Sequence, residues 1–210
     1  MEETQIILYD KSKIQGKNVF KINKEEVLKK AREGGNLHFT KEELGLVDEI
    51  VEKNLLIIDQ INQHSHNTKE RRELFSQLYG YQIPETTDIK APYNADVGCQ
   101  TFVEDNVFIN KDCFFMDLGG IWIDEKVKIG PRVSLITVNH AEDPNHRDDL
   151  ITGSIHIERN AWLGANVTVL PGVTIGENSI VGANALVTKD VEPNSIYVGS
   201  PAKKLRDLRY

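Results

Sequence analysis

A period of six restricts what this chain can fold into more than any other feature. Ile157, Leu163, Val169, Ile175, Val181 and Val187 are aliphatic and six residues apart. Four residues after each stand Ala161, Val167, Val173, Ser179, Ala185 and Val191, all small or β-branched. The position directly after the aliphatic is most often glycine, as at Gly164, Gly176 and Gly182. A helix repeats every 3.6 residues and a strand every 2, so neither produces this pattern. A sustained short period marks stacked repeats. The hexapeptide form reads as a parallel β-helix, in which six residues make a short strand and a turn, and three such units make one coil of a flat-sided prism.

The repeat begins earlier in the chain. Val97, Val103, Ile109 and Phe115 are six apart, two extra residues near Gly119-Gly120 shift the phase, and Ile123, Ile129 and Leu135 continue it. It lapses over residues 139–154, NHAEDPNHRDDLITGS, and returns at Ile157. A polar loop extruded from a regular solenoid is where such scaffolds carry function. Ahead of the repeat the pattern predicts three helices. One covers 24–31 with Asn23 as its cap, and a second runs from the Thr40/Glu43 capping box to 63. The third covers 68–79 and is closed by Gly80 and Pro84. Short extended segments are expected at Ile6 to Tyr9 and Val19 to Ile22. The resulting layout is an N-terminal extension and helical cap over 1–86, a β-helix over 87–202 with its loop at 139–154, and a basic tail over 203–210. Flat outer faces favour association in closed cyclic symmetry.

The chain has 210 residues and a net charge of -7, which argues against a nucleic-acid surface. No apolar run reaches the roughly 18 residues of a membrane span. The opening MEETQIILYDKSK lacks the basic and apolar regions of a secretion signal, and two cysteines are too few for a disulfide framework. A reduced, cytoplasmic setting is expected, with neither nucleic acid nor membrane as partner.

His140 directly follows the strand-like ITVN at the edge of the break, and histidine is the usual proton shuttle near neutral pH. A three-histidine zinc site would have to use His140, His146 and His156, because no histidine lies between 67 and 139; no metal is expected. Cys113 falls at an inward position, where a buried structural thiol is the simpler assignment than a nucleophile.

Residues from about 84 to 205 resemble the left-handed β-helix acetyltransferases, within them the maltose and galactoside (sugar) O-acetyltransferase group. The resemblance rests on FINKDCFFMDLGG, NHAEDPNHR, NAWLGANVTVLPGVTIGENSIVGANALVTKDVEPN and the GSPAKKL ending. It implies a mainly β, left-handed parallel β-helix and transfer of an acetyl group from acetyl-CoA to a hydroxyl of a small, sugar-like acceptor. It implies His140 as catalytic base acting in a ternary complex, Asn110 and Asp96 as acceptor contacts, and Trp162 and Ala165 beside the cofactor slot. Ala183, Thr188 and Lys189 match pantetheine and adenosine-phosphate contacts, and Lys203 and Arg206 match basic residues near the phosphates. Alternatives are a xenobiotic or antibiotic acetyltransferase of the same fold and a non-catalytic hexapeptide scaffold. The stretch at Gly34 to Phe39 departs from the group's opening segment. Thr40 and Leu118 stand near positions that are acidic in relatives, which puts the acceptor in question rather than the acyl transfer.

Counting units from Val97 puts Asn110 on a different prism face from the edge that bears His140. The two are therefore expected to meet only across a seam between subunits of a homotrimer.

Overall fold

A computed structural model describes residues 23–63 and 65–209. The extended segments expected within 1–22 lie outside them. The hexapeptides form three sheets of short parallel strands, one per prism face. The first face stacks Asp88–Ile89, Phe108–Ile109, Lys128–Ile129, Trp162–Leu163, Ile180–Val181 and Ser195–Val198. The second stacks Tyr93–Ala95, Cys113–Met116, Ser134–Ile136, Thr168–Val169 and Leu186–Val187. The third stacks Thr101–Val103, Ile121–Ile123, Ile155–Ile157 and Thr174–Ile175.

The column of aliphatics and the small residues four positions later are all buried, so the six-residue spacing corresponds to one inward side chain per strand and one per corner. Most regular corners are turned by a residue in the left-handed region three positions after the aliphatic. Asn160, Asn166, Asn178 and Asn184 have φ between 58° and 60° there, and Gly172 has φ 80°. Asparagine tolerates that conformation better than other side chains. The amides also form ladders: Asn160 Nδ2 donates to Asn178 Oδ1 at 2.8 Å, and Asn178 Nδ2 to Asn194 Oδ1 at 2.9 Å. Gly164 answers a different need. A Cβ there would sit 2.7 Å from the main-chain nitrogen of Ala183 in the next coil.

The early phase of the repeat differs from the expectation. Ala95, not Val97, aligns with Phe115, and Phe115 with Leu135. Ile89, Ile109 and Ile129 align at a spacing of 20, whereas Leu163 and Val181 are 18 apart. Two extra residues therefore enter twice, at the same corner of successive coils, and only the second was visible beside Gly119-Gly120. Val97 leaves the column and packs beneath α1 (Lys24–Glu33) and α2 (Lys41–Gln63), with Val27, Leu28, Val47 and Ile50.

The helices close the N-terminal end. Ile58 and Ile61 of α2 and Phe75, Leu78 and Tyr79 of α3 (Thr68–Tyr79) join the core over the first coil. Tyr79 and Tyr93 are both buried and satisfy each other through a 2.9 Å hydroxyl–hydroxyl bond. The Thr40/Glu43 capping box is present, with Thr40 N–H donating to Glu43 at 2.7 Å and Glu43 N–H to Thr40 Oγ1 at 3.2 Å. Asn67 and Glu70 form a second box at the start of α3. At the other end Lys203–Asp207 is not a loose tail. It pairs antiparallel with Ser195–Val198.

Candidate active site

The break in the repeat is a β-hairpin at the corner between the second and third faces. Val138–His140 pairs antiparallel with Leu150–Thr152, and Gly35–Leu37 from the N-terminal region adds a third strand outside it. Gly153 N–H closes the base on Thr137 O at 2.9 Å, after which Ile155 resumes the stack on Ile121. A 3-10 turn at Pro144–His146 forms the tip, capped by Asp143, whose side chain accepts from Asn145 N–H. Arg147 Nη2 donates to Glu142 O at 3.0 Å, and Asp149 Oδ1 lies 2.6 Å from His38 Nδ1. These contacts brace the loop from both sides.

His140 is exposed at the end of its strand. Its Nδ1 lies 2.9 Å from the carbonyl oxygen of Arg147. A carbonyl only accepts, so Nδ1 carries the proton and the neutral ring keeps its lone pair on Nε2. Among the described residues the His140 side chain has no other hydrogen bond, so Nε2 is left without a partner. The sequence does not announce Arg147 as the partner of His140, because the contact is to its main chain.

The same corner carries two acids in the earlier coils. Asp96 is half-buried, and burial pushes its carboxyl above the usual range. Asp117 is fully buried, accepting from Val97 N–H at 2.9 Å, Gly98 N–H at 3.0 Å and the Thr101 hydroxyl at 2.9 Å. Burial pushes its pKa up to about 6 despite those three bonds, and the neighbouring Asp96 charge adds to the rise. Asp117 thus ties the enlarged corner together and does not face solvent. Leu118 beside it is buried as well.

The remaining candidates divide between two edges. Thr188 and Lys189 follow the second-face strand Leu186–Val187, so they share the His140 corner with Asp96. Asn110, Ala165 and Ala183 follow first-face strands and occupy the corner between the first and second faces. Trp162 is 52% exposed on the first face, beside a cleft of about 310 Å³ that it lines with Lys128, Asn178 and Leu208. Lys203 and Arg206 lie on the terminal strand of that face. In one chain, then, the candidates lie on two different edges of the prism, with Trp162 on the first face and Lys189 at the corner after the second.

Cys113 is buried and its thiol is pushed up to about 11 by burial. His146 is engaged by Asp143 at 2.8 Å, and the His156 ring stacks on Trp122 at 4.8 Å. Among the described residues no group of three or more His, Cys, Asp or Glu side chains is placed to hold a metal ion, and no helix is long and apolar enough to cross a membrane.

The coiled prism with one extruded, histidine-bearing hairpin is a hexapeptide-repeat architecture, and comparison with known proteins gives its class. Residues 154–189 match the family model described as bacterial transferase hexapeptide (six repeats). A Schizosaccharomyces pombe protein provisionally named an acetyltransferase is 40% identical over 142 residues, 67% of this chain and 69% of its own. Galactoside O-acetyltransferase of Lactococcus lactis is 33% identical over 158 residues, 73% of this chain and 76% of its own. The crystal structure of a hexapeptide-repeat-containing acetyltransferase from Vibrio cholerae complexed with acetyl-coenzyme A superposes with a TM-score of 0.79 at 31% identity, covering 88% of this chain and 99% of that one. This chain belongs to the hexapeptide-repeat acetyltransferase family.

Proposed function

We propose that the protein transfers the acetyl group of acetyl-CoA to a hydroxyl of a sugar-like acceptor, with His140 as general base. The observation that carries this reading is the Nδ1 contact to the Arg147 carbonyl, which leaves Nε2 free to accept a proton. Nε2 takes the proton of the acceptor hydroxyl as its oxygen attacks the thioester carbonyl. The tetrahedral intermediate collapses to the acetyl ester and expels the thiolate of coenzyme A, which recovers the proton from the imidazolium. No residue of the chain is acylated, so both substrates must be bound together. The acetyl-CoA-bound relative and the galactoside-acting relative support the donor and the acceptor class, respectively. The two free thiols suit a reducing, cytoplasmic setting.

The division of candidates between two edges supports a homotrimer. In a cyclic assembly the edge with His140, Asp96, Thr188 and Lys189 of one subunit meets the edge with Asn110, Ala165 and Ala183 of the next, with Trp162, Lys203 and Arg206 nearby. The test is free-thiol release from acetyl-CoA with a panel of sugars. His140→Ala is expected to lose at least ~100-fold in rate while keeping its circular dichroism spectrum. Co-assembly of inactive His140→Ala with inactive Asn110→Ala chains should restore part of the activity. A monomer with full activity, or a His140→Ala protein that turns over like wild type, contradicts the proposal.

A further inference from the structure

A cleft of about 370 Å³ opens where the connection between α2 and α3 meets the first two coils. Three cations line it: Arg71 from α3, Lys90 from the first coil and Lys111 from the second. One carboxylate stands among them. Asp88 lies 2.9 Å from Arg71 and 2.6 Å from Lys90. Burial opposes ionisation of Asp88, but the hydrogen bonds and charges of Lys90 and Arg71 outweigh it and hold the carboxyl below its usual range. Among the described residues the Lys111 ammonium has no carboxylate within ion-pair distance. His66 also lines the cleft, 3.9 Å from Glu70 at the rim. The cleft therefore holds surplus positive charge on a chain whose net charge is -7.

The cleft is also preorganised. The Arg71 guanidinium is fixed by Ile89 O at 2.7 Å and His66 O at 3.3 Å in addition to Asp88. The Asn62 amide is committed to the main chain of Tyr93 through two bonds, of 2.8 Å and 2.9 Å, and so holds the cleft wall.

Its position gives the charge a meaning. Lys90 N–H bonds Ile109 O, and Asn110 N–H bonds Ile129 O, so Lys90 and Asn110 occupy equivalent corners of successive coils, about 5 Å apart along the prism. Lys111 is the residue after Asn110. The cations thus stand directly beside the proposed acceptor contact. They are remote from Lys203 and Arg206, which lie at the opposite end of the seven-stranded first face, roughly six strand spacings of 4.8 Å away. The proposed function assigns the phosphates of coenzyme A to that far end.

We infer that this cleft receives an anionic group of the acceptor, so that the sugar-like substrate carries a phosphate or a carboxylate. The inference rests on the proposed role of Asn110 in holding the acceptor. The test is calorimetric titration of the full-length protein with glucose 6-phosphate, glucuronate and glucose, which requires no turnover. At least one of the two anionic sugars should bind ~10-fold or more tighter than glucose, the scale of one charge-assisted hydrogen bond. Which of the two binds identifies phosphate or carboxylate as the group. The Lys90→Gln/Lys111→Gln double variant should lose that preference while keeping its melting temperature and its affinity for acetyl-CoA. Equal affinity for all three sugars, no binding of any, or an anionic preference unchanged in the double variant overturns the inference. Charge-selective binding with no thiol release from any of the three keeps the anion site and counts instead against acetyl transfer to these sugars.

Discussion

Replacing Asp117 with asparagine should remove a pH dependence from the stability of the fold. In the native state burial raises the carboxyl from its ordinary 3.8 to about 6, with three hydrogen bonds and no cation to hold it down. In the unfolded chain it returns to about 3.9. The folded protein therefore binds the proton more tightly than the unfolded one between about pH 4 and pH 6. The stabilisation that goes with this proton is complete below about pH 4 and is lost as pH rises through 6. A shift of roughly 2 units at 1.36 kcal/mol each gives a loss of about 3 kcal/mol. At 2–4 °C per kcal/mol for a chain of this size, that is a fall of about 6–12 °C in Tm. Asp117→Asn keeps an oxygen for the Val97 and Gly98 N–H groups, and its amide donates to the Thr101 oxygen, so the corner stays closed without a titrating group. Thermal unfolding of both proteins by circular dichroism from pH 4 to pH 8 isolates the effect as a difference. The Tm of the variant relative to wild type should rise by several degrees between about pH 4 and pH 6, half of it near pH 5, and level off above that. A difference that stays constant with pH refutes the argument, because it shows that the hydrogen bonds hold Asp117 ionised throughout.

Two further predictions concern the coils. Gly164→Ala forces a Cβ to 2.7 Å from the Ala183 nitrogen and 3.0 Å from the Val181 oxygen, so it should cost about 1–3 kcal/mol. Gly45→Ala in α2, where a Cβ meets nothing within 4 Å, should instead stabilise by about 1 kcal/mol; denaturant unfolding of the pair reads both signs. Asn178→Ala should be less stable than Asn178→Gly by about 1 kcal/mol, because both lose the amide ladder but only alanine is strained at φ 60°. Equal stability of the two would show that the left-handed corner is not what selects asparagine.

The period of six made the prism legible because each inward column is a direct copy of the coil geometry. Gly34, Gly80 and the Thr40/Glu43 box made the helix limits legible because they are local chemistry. The phase of the first coils was not. Val97 is as aliphatic as the column residues, and its place beneath α1 and α2 depends on helices distant in sequence. The left-handed corners had a visible signal, asparagine three residues after four of the six aliphatics from Ile157 to Val187, that the count of apolar residues passes over. His140 could be singled out by its place at the break. Its orientation could not, because the partner is a main-chain oxygen seven residues away and any residue at 147 would supply one. The cluster of Arg71, Lys90 and Lys111 was hidden for a related reason. Its members come from a helix and two coils, and no linear motif joins them.

The reversed strand Lys203–Asp207 changes the polarity of the first face at its last pairing. Each earlier strand of the first face offers its successor an open row of N–H and C=O groups in parallel register, and a foreign coil could dock on such a row as readily as the chain's own. The last strand offers the opposite polarity, lined with Lys203, Lys204 and Arg206. It covers the row that Ser195–Val198 would otherwise leave open. Removing Lys203–Asp207 would leave the outer row of Ser195–Val198 unpaired, and because α2 and α3 cover the first coil at the other end, such a row could meet only its own copy, tail to tail, and not grow further.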